Sequence, residues 1–281
     1  PAIEETIFAG IPVNVTLLFS TEQYLAAADA YLKGVERRIE AGLNPAINSV
    51  ASLFISRWDA AVIDDVSPEL RAKLGIAVGK QAYAAYRELI ASDRVQILAN
   101  EGGRIQRLLM ASTGTKDPEA SDVLYIEALA APNTVNTMPP AALEAYADHG
   151  VTGAPIPPDG GDAEEVLKAY NDAGTDTDEL AARLQSEGKD SFNASWHDLI
   201  GTIKDQIPSL PRRPGTPGRQ RFRCVIVDWT LRRVLMLAAF PLDGAPRIWK
   251  RCPQLPEKAS TTNTSMTISP FTRLPDFVRP A

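Results

Sequence analysis

Four polar clusters stand inside or at the ends of otherwise apolar runs in this sequence, and these are the residues that could do chemistry. Asn14 and Thr16 lie two residues apart in Val13–Phe19, so on a strand they share one face. Polar side chains on a buried strand need partners, which either a structural hydrogen-bond network or a bound substrate would supply. Ser56-Arg57-Trp58-Asp59 closes a second apolar run. A guanidinium there suits an anion, because its fork of N–H donors fits phosphate; an internal pair of Arg57 with Asp59 or a neighbour is the alternative. Ser112-Thr113-Gly114-Thr115-Lys116 closes a third run. Hydroxyls, a Gly that admits close backbone approach and a Lys make a phosphate cradle, or else an ordinary polar turn. The Gly-x-x-x-x-Gly-Lys spacing of a P-loop is absent. Asn136-Thr137-Met138-Pro139 closes the fourth run and is the weakest signal, a turn as readily as part of a polar ring. Together the clusters describe a pocket for a phosphorylated ligand, without an evident nucleophile.

Other chemistries are poorly supplied. The chain has two His, His149 and His197, and two Cys, Cys224 and Cys252. His149, in Asp148-His149-Gly150, reads as the end of a helix, where the dipole favours it. His197 falls within an amphipathic helix. No metal-ligand spacing is present, so no metal is expected, and two Cys make no disulfide framework. No run has the length of a membrane span or the pattern of a signal peptide, which predicts a cytoplasmic protein.

Stepping from the clusters to the elements that must position them, residues 1–204 alternate short apolar strands with helical patterns. Val13–Phe19 reads as a strand, and Ser20-Thr21-Glu22-Gln23 is a capping box that opens a helix with Leu25, Ala28, Leu32, Val35 and Ile39 on one face. Gly42 and Pro45 stop it. Val50–Ile55 is the next strand. Ser67-Pro68 carries the residues that start a helix, whose face runs through Leu70, Leu74, Val78, Ala85 and Leu89. Arg107–Ala111 and Thr134–Thr137 are the third and fourth strands, each followed by a helix, over Glu119–Leu129 and Pro140–Ala147. Strands that are runs rather than alternations, interleaved with helices, predict a parallel sheet. After the Pro- and Gly-rich Val151–Gly161 come helices near Asp162–Ala173, Thr177–Ser186 and Ser191–Lys204, with Glu187-Gly188 as a break. In such βα arrays functional groups gather at the C-terminal ends of the strands.

The composition changes sharply near the end. Residues 205–281 hold 13 basic and 5 acidic residues and half of the 22 Pro, whereas the whole chain carries a net charge of −6. This second segment is read as a tail of unknown fold, unrelated to what precedes it or out of frame. Only Cys224–Trp229 and Val234–Phe240 look structured. Its Arg residues lie on no helical face, which argues against nucleic acid as a partner.

Gly10-Ile11-Pro12-Val13-Asn14-Val15-Thr16-Leu17-Leu18-Phe19-Ser20 resembles the fifth strand of transaldolases, and the segments Phe54–Asp59, Ala111–Pro118 and Thr134–Pro139 resemble strands six, seven and eight. The resemblance covers residues 1–204, includes Ser191–Trp196 in the last helix, and is nearest to the branch sometimes fused to a glucose-6-phosphate isomerase. It implies a (β/α)8 TIM barrel, of which this chain supplies strands five to eight with the C-terminal helices. It further implies transfer of a dihydroxyacetone unit from sedoheptulose 7-phosphate to glyceraldehyde 3-phosphate through a Lys Schiff base, with no metal or organic cofactor. On that likeness Asn14 would bind the dihydroxyacetone moiety, Thr16 would position the catalytic water, Ser56 would hold substrate hydroxyls, and Ser112 and Lys116 the phosphate. Many transaldolases place a phosphate-binding Arg five residues after the serine taken here as Ser56; that position is Ala61, so Arg57 is expected to serve instead. The Schiff-base Lys, on strand four, is expected upstream of Pro1, and the polypeptide alone is expected to be inactive. The alternative is a non-catalytic sugar-phosphate-binding protein derived from the barrel. A fusion or a homo-oligomer is consistent with the resemblance.

Overall fold

The computed structural model describes residues 1–206. Apart from Asp205 and Gln206, the expected tail at 205–281 lies outside the described residues, as do the runs Cys224–Trp229 and Val234–Phe240.

Each strand forms where the apolar run predicts. β1 (Val13–Leu18), β2 (Ser49–Phe54), β3 (Arg107–Ala111) and the two-residue β4 (Val135–Asn136) make one sheet in the order β1-β2-β3-β4, every neighbouring pair parallel. The helices are α1 (Ala2–Phe8), α2 (Thr21–Glu40), α3 (Ser56–Val62), α4 (Leu74–Ala91), α5 (Asp93–Asn100), α6 (Leu124–Ala128), α7 (Pro140–His149), α8 (Ala163–Asp172) and α9 (Thr177–Gln206). None of them is long and apolar enough to cross a membrane.

The helices cover one face of the sheet. Val13, Val15, Ala51, Leu53, Leu108 and Met110 point to that side and are at most 6 % exposed. α2 packs on β1 and β2, and α4 on β3. On the other face Asn14, Thr16, Val50 and Val135 are only half-buried.

Local signals account for α2. Ser20 Oγ accepts from Gln23 N at 3.2 Å, and Gln23 Oε1 accepts from Phe19 N at 2.8 Å, a reciprocal cap contributing about 1 kcal/mol. At the other end Gly42 takes φ +66°, and Leu43 N and Gly42 N donate to Arg38 O and Ile39 O. This is a Schellman stop of the kind that favours Gly. The buried face is the one read in the sequence at Ala28, Leu32, Val35 and Ile39, but not at Leu25, which is 38 % exposed; Tyr24 and Tyr31 are buried beside it. Tyr24 packs edge-on against Tyr86 of α4, 6.3 Å between ring centres, and takes the core position expected of its neighbour Leu25.

Two helix boundaries differ from expectation, each for a long-range reason. Ser67-Pro68 lies in a turn, and α4 begins at Leu74. Its N-terminus is capped by Asp59, whose two carboxylate oxygens accept from Leu74 N at 2.9 Å and Gly75 N at 3.1 Å. Glu187-Gly188 does not break the last helix, which runs unbroken through it. Gly188 instead marks close approach: a Cβ there would stand 3.0 Å from Leu17 Cδ2. α5 and the shortness of α6 were not anticipated either.

Candidate functional site

Three of the four polar clusters follow the C-terminal ends of β2, β3 and β4, the place where βα folds bind ligands, and the first, Asn14 with Thr16, lies inside β1. β1 brings Asn14 and Thr16 to the half-open face. Asn14 Oδ1 accepts from Ser52 Oγ at 2.7 Å, so the partner of Asn14 is a buried serine of β2 that the sequence reading passed over. The signal was there: Ser52 is a hydroxyl set among Ala51, Leu53 and Phe54, in a strand otherwise apolar from Val50 onward.

Beyond Thr16 the strand is bent. Val15 pairs with Ala51 and Leu18 with Leu53, so three steps on β1 match two on β2. This one-residue bulge is carried by Leu17 at φ +61°. A branched side chain in the left-handed region costs about 1–2 kcal/mol, and bulges of this sort re-aim neighbouring side chains. Leu17 O leaves the ladder and accepts from Gln185 Nε2 of α9 at 2.9 Å.

β2 runs into α3, whose first two residues are Ser56 and Arg57. Ser56 is fully buried. Its amide donates to Ser112 O at 3.0 Å, and its hydroxyl lies 3.0 Å from Ser112 Oγ. Ser112 has φ +57°, a second strained non-Gly residue at a strand end. Ser56 and Ser112 are thus one hydroxyl pair rather than two separate groups. Arg57 is half-buried over the Phe54 ring, 5.1 Å from its centre. Among the described residues it has no carboxylate partner. Asp59, the partner considered from the sequence, caps α4 and also accepts from Tyr125 Oη at 2.8 Å. Burial pushes the Asp59 carboxyl above its ordinary value, opposed by the Tyr125, Gly75 and Leu74 donors.

The remaining candidates are placed less tightly. Lys116 is exposed and lines a narrow cleft with Asp59, Arg71, Asp117 and Tyr125, on the side of α3 and α4. Asn136 pairs with Met110 in register, so it sits on the helix-covered face, where Oδ1 accepts from Thr113 Oγ1 at 2.7 Å. It does not join the Asn14 face. His149 ends α7, as expected, and bridges Asp122 at 2.9 Å and Asp148 at 3.3 Å on the surface; these two carboxylates hold its pKa above the ordinary value. His197 is exposed on α9. Among the described residues no group of three or more His, Cys, Asp or Glu is arranged to hold a metal.

The site therefore offers amide and hydroxyl groups in pairs (Asn14 with Ser52, Ser56 with Ser112) and a guanidinium free to take an anion. The Lys residues of the described region are elsewhere. Lys33, Lys80 and Lys168 are on helices and paired with Asp29, Asp162 and Asp172. Lys73 precedes α4, Lys116 is in a loop, and Lys189 and Lys204 are on α9. None lies on a strand.

The family model for transaldolase/fructose-6-phosphate aldolase matches residues 1–203. Similar curated proteins include transaldolases of Saccharopolyspora erythraea, 46% identical over 214 residues, and of Frankia alni, 45% identical over 227 residues. The transaldolase of Mycolicibacterium smegmatis is 44% identical over 221 residues. These alignments cover 74%, 78% and 75% of this chain and 58%, 60% and 60% of the relatives. The chain thus spans about three fifths of the length of the curated relatives it matches.

Proposed function

The chain belongs to the transaldolase/fructose-6-phosphate aldolase family, and on that premise we propose that the protein is a transaldolase acting on sugar phosphates. The reaction would move a dihydroxyacetone unit from sedoheptulose 7-phosphate to glyceraldehyde 3-phosphate. The four strands would be strands five to eight of a (β/α)8 barrel, their half-open face being its interior. The observation that carries this reading is the pairing of Asn14 with Ser52 on that face, with unpaired Arg57 at its rim.

Each residue then has a chemical task. Asn14 and Ser52 supply donors and acceptors to the hydroxyls and carbonyl of the three-carbon unit. Thr16, beside the bulge, orients the water that relays protons. Ser112 presents its hydroxyl, backed by the buried Ser56 hydroxyl 3.0 Å away, and Arg57 grips the phosphate through its N–H fork. The five-residue offset between serine and phosphate-binding Arg, when counted from Ser52, falls on Arg57 rather than on Ala61. That spacing supports Arg57 as the family's arginine and makes Ser52 the matching serine. Lys116 would reach the phosphate only from the loop after β3.

The reaction also needs an amine that attacks the ketose carbonyl, so that the iminium can accept the electrons of the breaking C–C bond. Such an amine must project into the barrel interior, which no Lys of the described region does. We place it outside residues 1–206. The same observation favours the second reading, a sugar-phosphate-binding protein without catalysis.

Borohydride trapping with fructose 6-phosphate, followed by mass spectrometry of the protein expressed from its full reading frame, separates these. Transaldolase is supported by a reduced adduct on a Lys outside residues 1–206. An adduct on any of the seven Lys named above would sink the proposed division of the site. Phosphate binding without any adduct would establish the non-catalytic reading.

A further inference from the structure

We propose that α9 is a clamp that sets the reactive end of β1, with Gln185 as a positioning residue. Leu17 is the strained point of β1. Its positive φ and the one-residue bulge are unfavourable for a branched side chain, so something must hold them. Within β1 the carbonyl of Leu17 has turned out of the ladder. Its partner is the Gln185 side chain, 168 residues further along the chain, donating at 2.9 Å. The helix that carries Gln185 is itself seated: Leu180, Ala181 and Leu184 are at most 5 % exposed.

One turn beyond Gln185, Gly188 lets the helix lie directly on the site. A Cβ at this position would be 3.0 Å from Leu17 Cδ2 and 3.5 Å from Arg57 Nη1. A single turn of α9 therefore touches both the residue after Thr16 and the guanidinium of α3. Loss of the Gln185 bond frees Leu17 to relax toward negative φ, which would slip Thr16 and Asn14 relative to Ser52. The seat of Arg57 does not depend on that bond. The effect on turnover rests on the transaldolase reading; the effect on β1 does not.

The test compares wild type, Gln185→Glu and Gln185→Leu in the protein expressed from its full reading frame. Glu keeps the shape but, ionised, has no N–H to donate; Leu removes the polarity. Backbone hydrogen exchange over residues 15–20 is expected to quicken about tenfold in both, as for a local opening made easier, with residues 49–54 and 107–111 unchanged. Turnover number is expected to fall about tenfold, with KM for fructose 6-phosphate unchanged, the pattern of an interaction used after binding. Unchanged exchange over residues 15–20 would overturn the clamp. Faster exchange with unchanged turnover would overturn the positioning role. If wild type itself shows no transaldolase turnover, the proposed function fails, and the exchange result still decides whether α9 holds β1.

Discussion

At the scale of single residues, the site is defined by which groups are paired and which are free. Arg57 rests on the Phe54 ring and has no carboxylate partner among the described residues, so there its charge is available. Arg57→Ala is expected to raise KM for sugar phosphates by about 10–100-fold, since hydrogen bonds to charged groups contribute about 1.5–3 kcal/mol, with a smaller effect on a non-phosphorylated ketose. Steady-state kinetics with both substrates checks this, and equal losses would reassign Arg57 to structure. His149 offers a second measurement, on the surface. Asp122 and then Asp148 raise its folded pKa, so the pairing stabilises below the unfolded value and is lost as pH rises through the folded one. NMR titration should place the imidazole above 6.5, and Asp122→Asn should bring it back down. The site residues were mostly legible in the sequence, because Ser56, Arg57 and Ser112 follow strand ends and Asn14 and Thr16 interrupt an apolar strand. Ser52 was not, because a small hydroxyl inside an apolar strand looks like filler until the partner across the sheet is known. The separation of Lys116 from the Asn14 face was hidden for the same reason, since loop direction is not encoded by spacing.

Among the elements, local rules worked where the determinants are local. Ser20, Gln23 and Gly42 start and stop α2 within a few residues of themselves, and all three were readable. They failed where a distant group replaces the local cap. Asp59 takes the role that Ser67-Pro68 advertises, and Gly188 serves a helix–strand contact where a stop was expected. Asp59→Asn is expected to destabilise by about 2 kcal/mol, because the amide keeps one acceptor but sets its NH2 against the Gly75 N–H. The pH dependence has a definite sign. Burial raises the folded pKa of Asp59, so the folded state binds the extra proton, and this contribution falls as pH rises from the unfolded value through the folded one. Urea denaturation from pH 4 to 7 should show that slope in wild type and a flatter profile in Asp59→Asn.

At the scale of the molecule, the sheet has the sequential parallel order that a closed (β/α)8 barrel requires, and among the described residues β1 and β4 each have a single neighbour. One face is dry and the other half-buried and polar, a contrast that parallel sheets avoid unless the second face encloses something. The alternation of strands and helices made the parallel sheet legible from sequence; which face would be polar was legible only on β1, where Asn14 and Thr16 alternate with valines. The direction of α9 was not, because a helix after the last strand can pack anywhere its apolar stripe allows. The distant cap on α4 has one more consequence, for the order of folding. The first amides of α4, those of Leu74 and Gly75, donate to a carboxylate held on α3, so that end of the helix is fixed by a tertiary contact. Residues 74–91 as an isolated peptide would fray at that end, and the turn would set only once α3 has docked. Where such a contact forms after the folding barrier, its loss speeds unfolding and leaves refolding unchanged; Asp59→Asn is expected to show that pattern, which stopped-flow unfolding and refolding in urea checks.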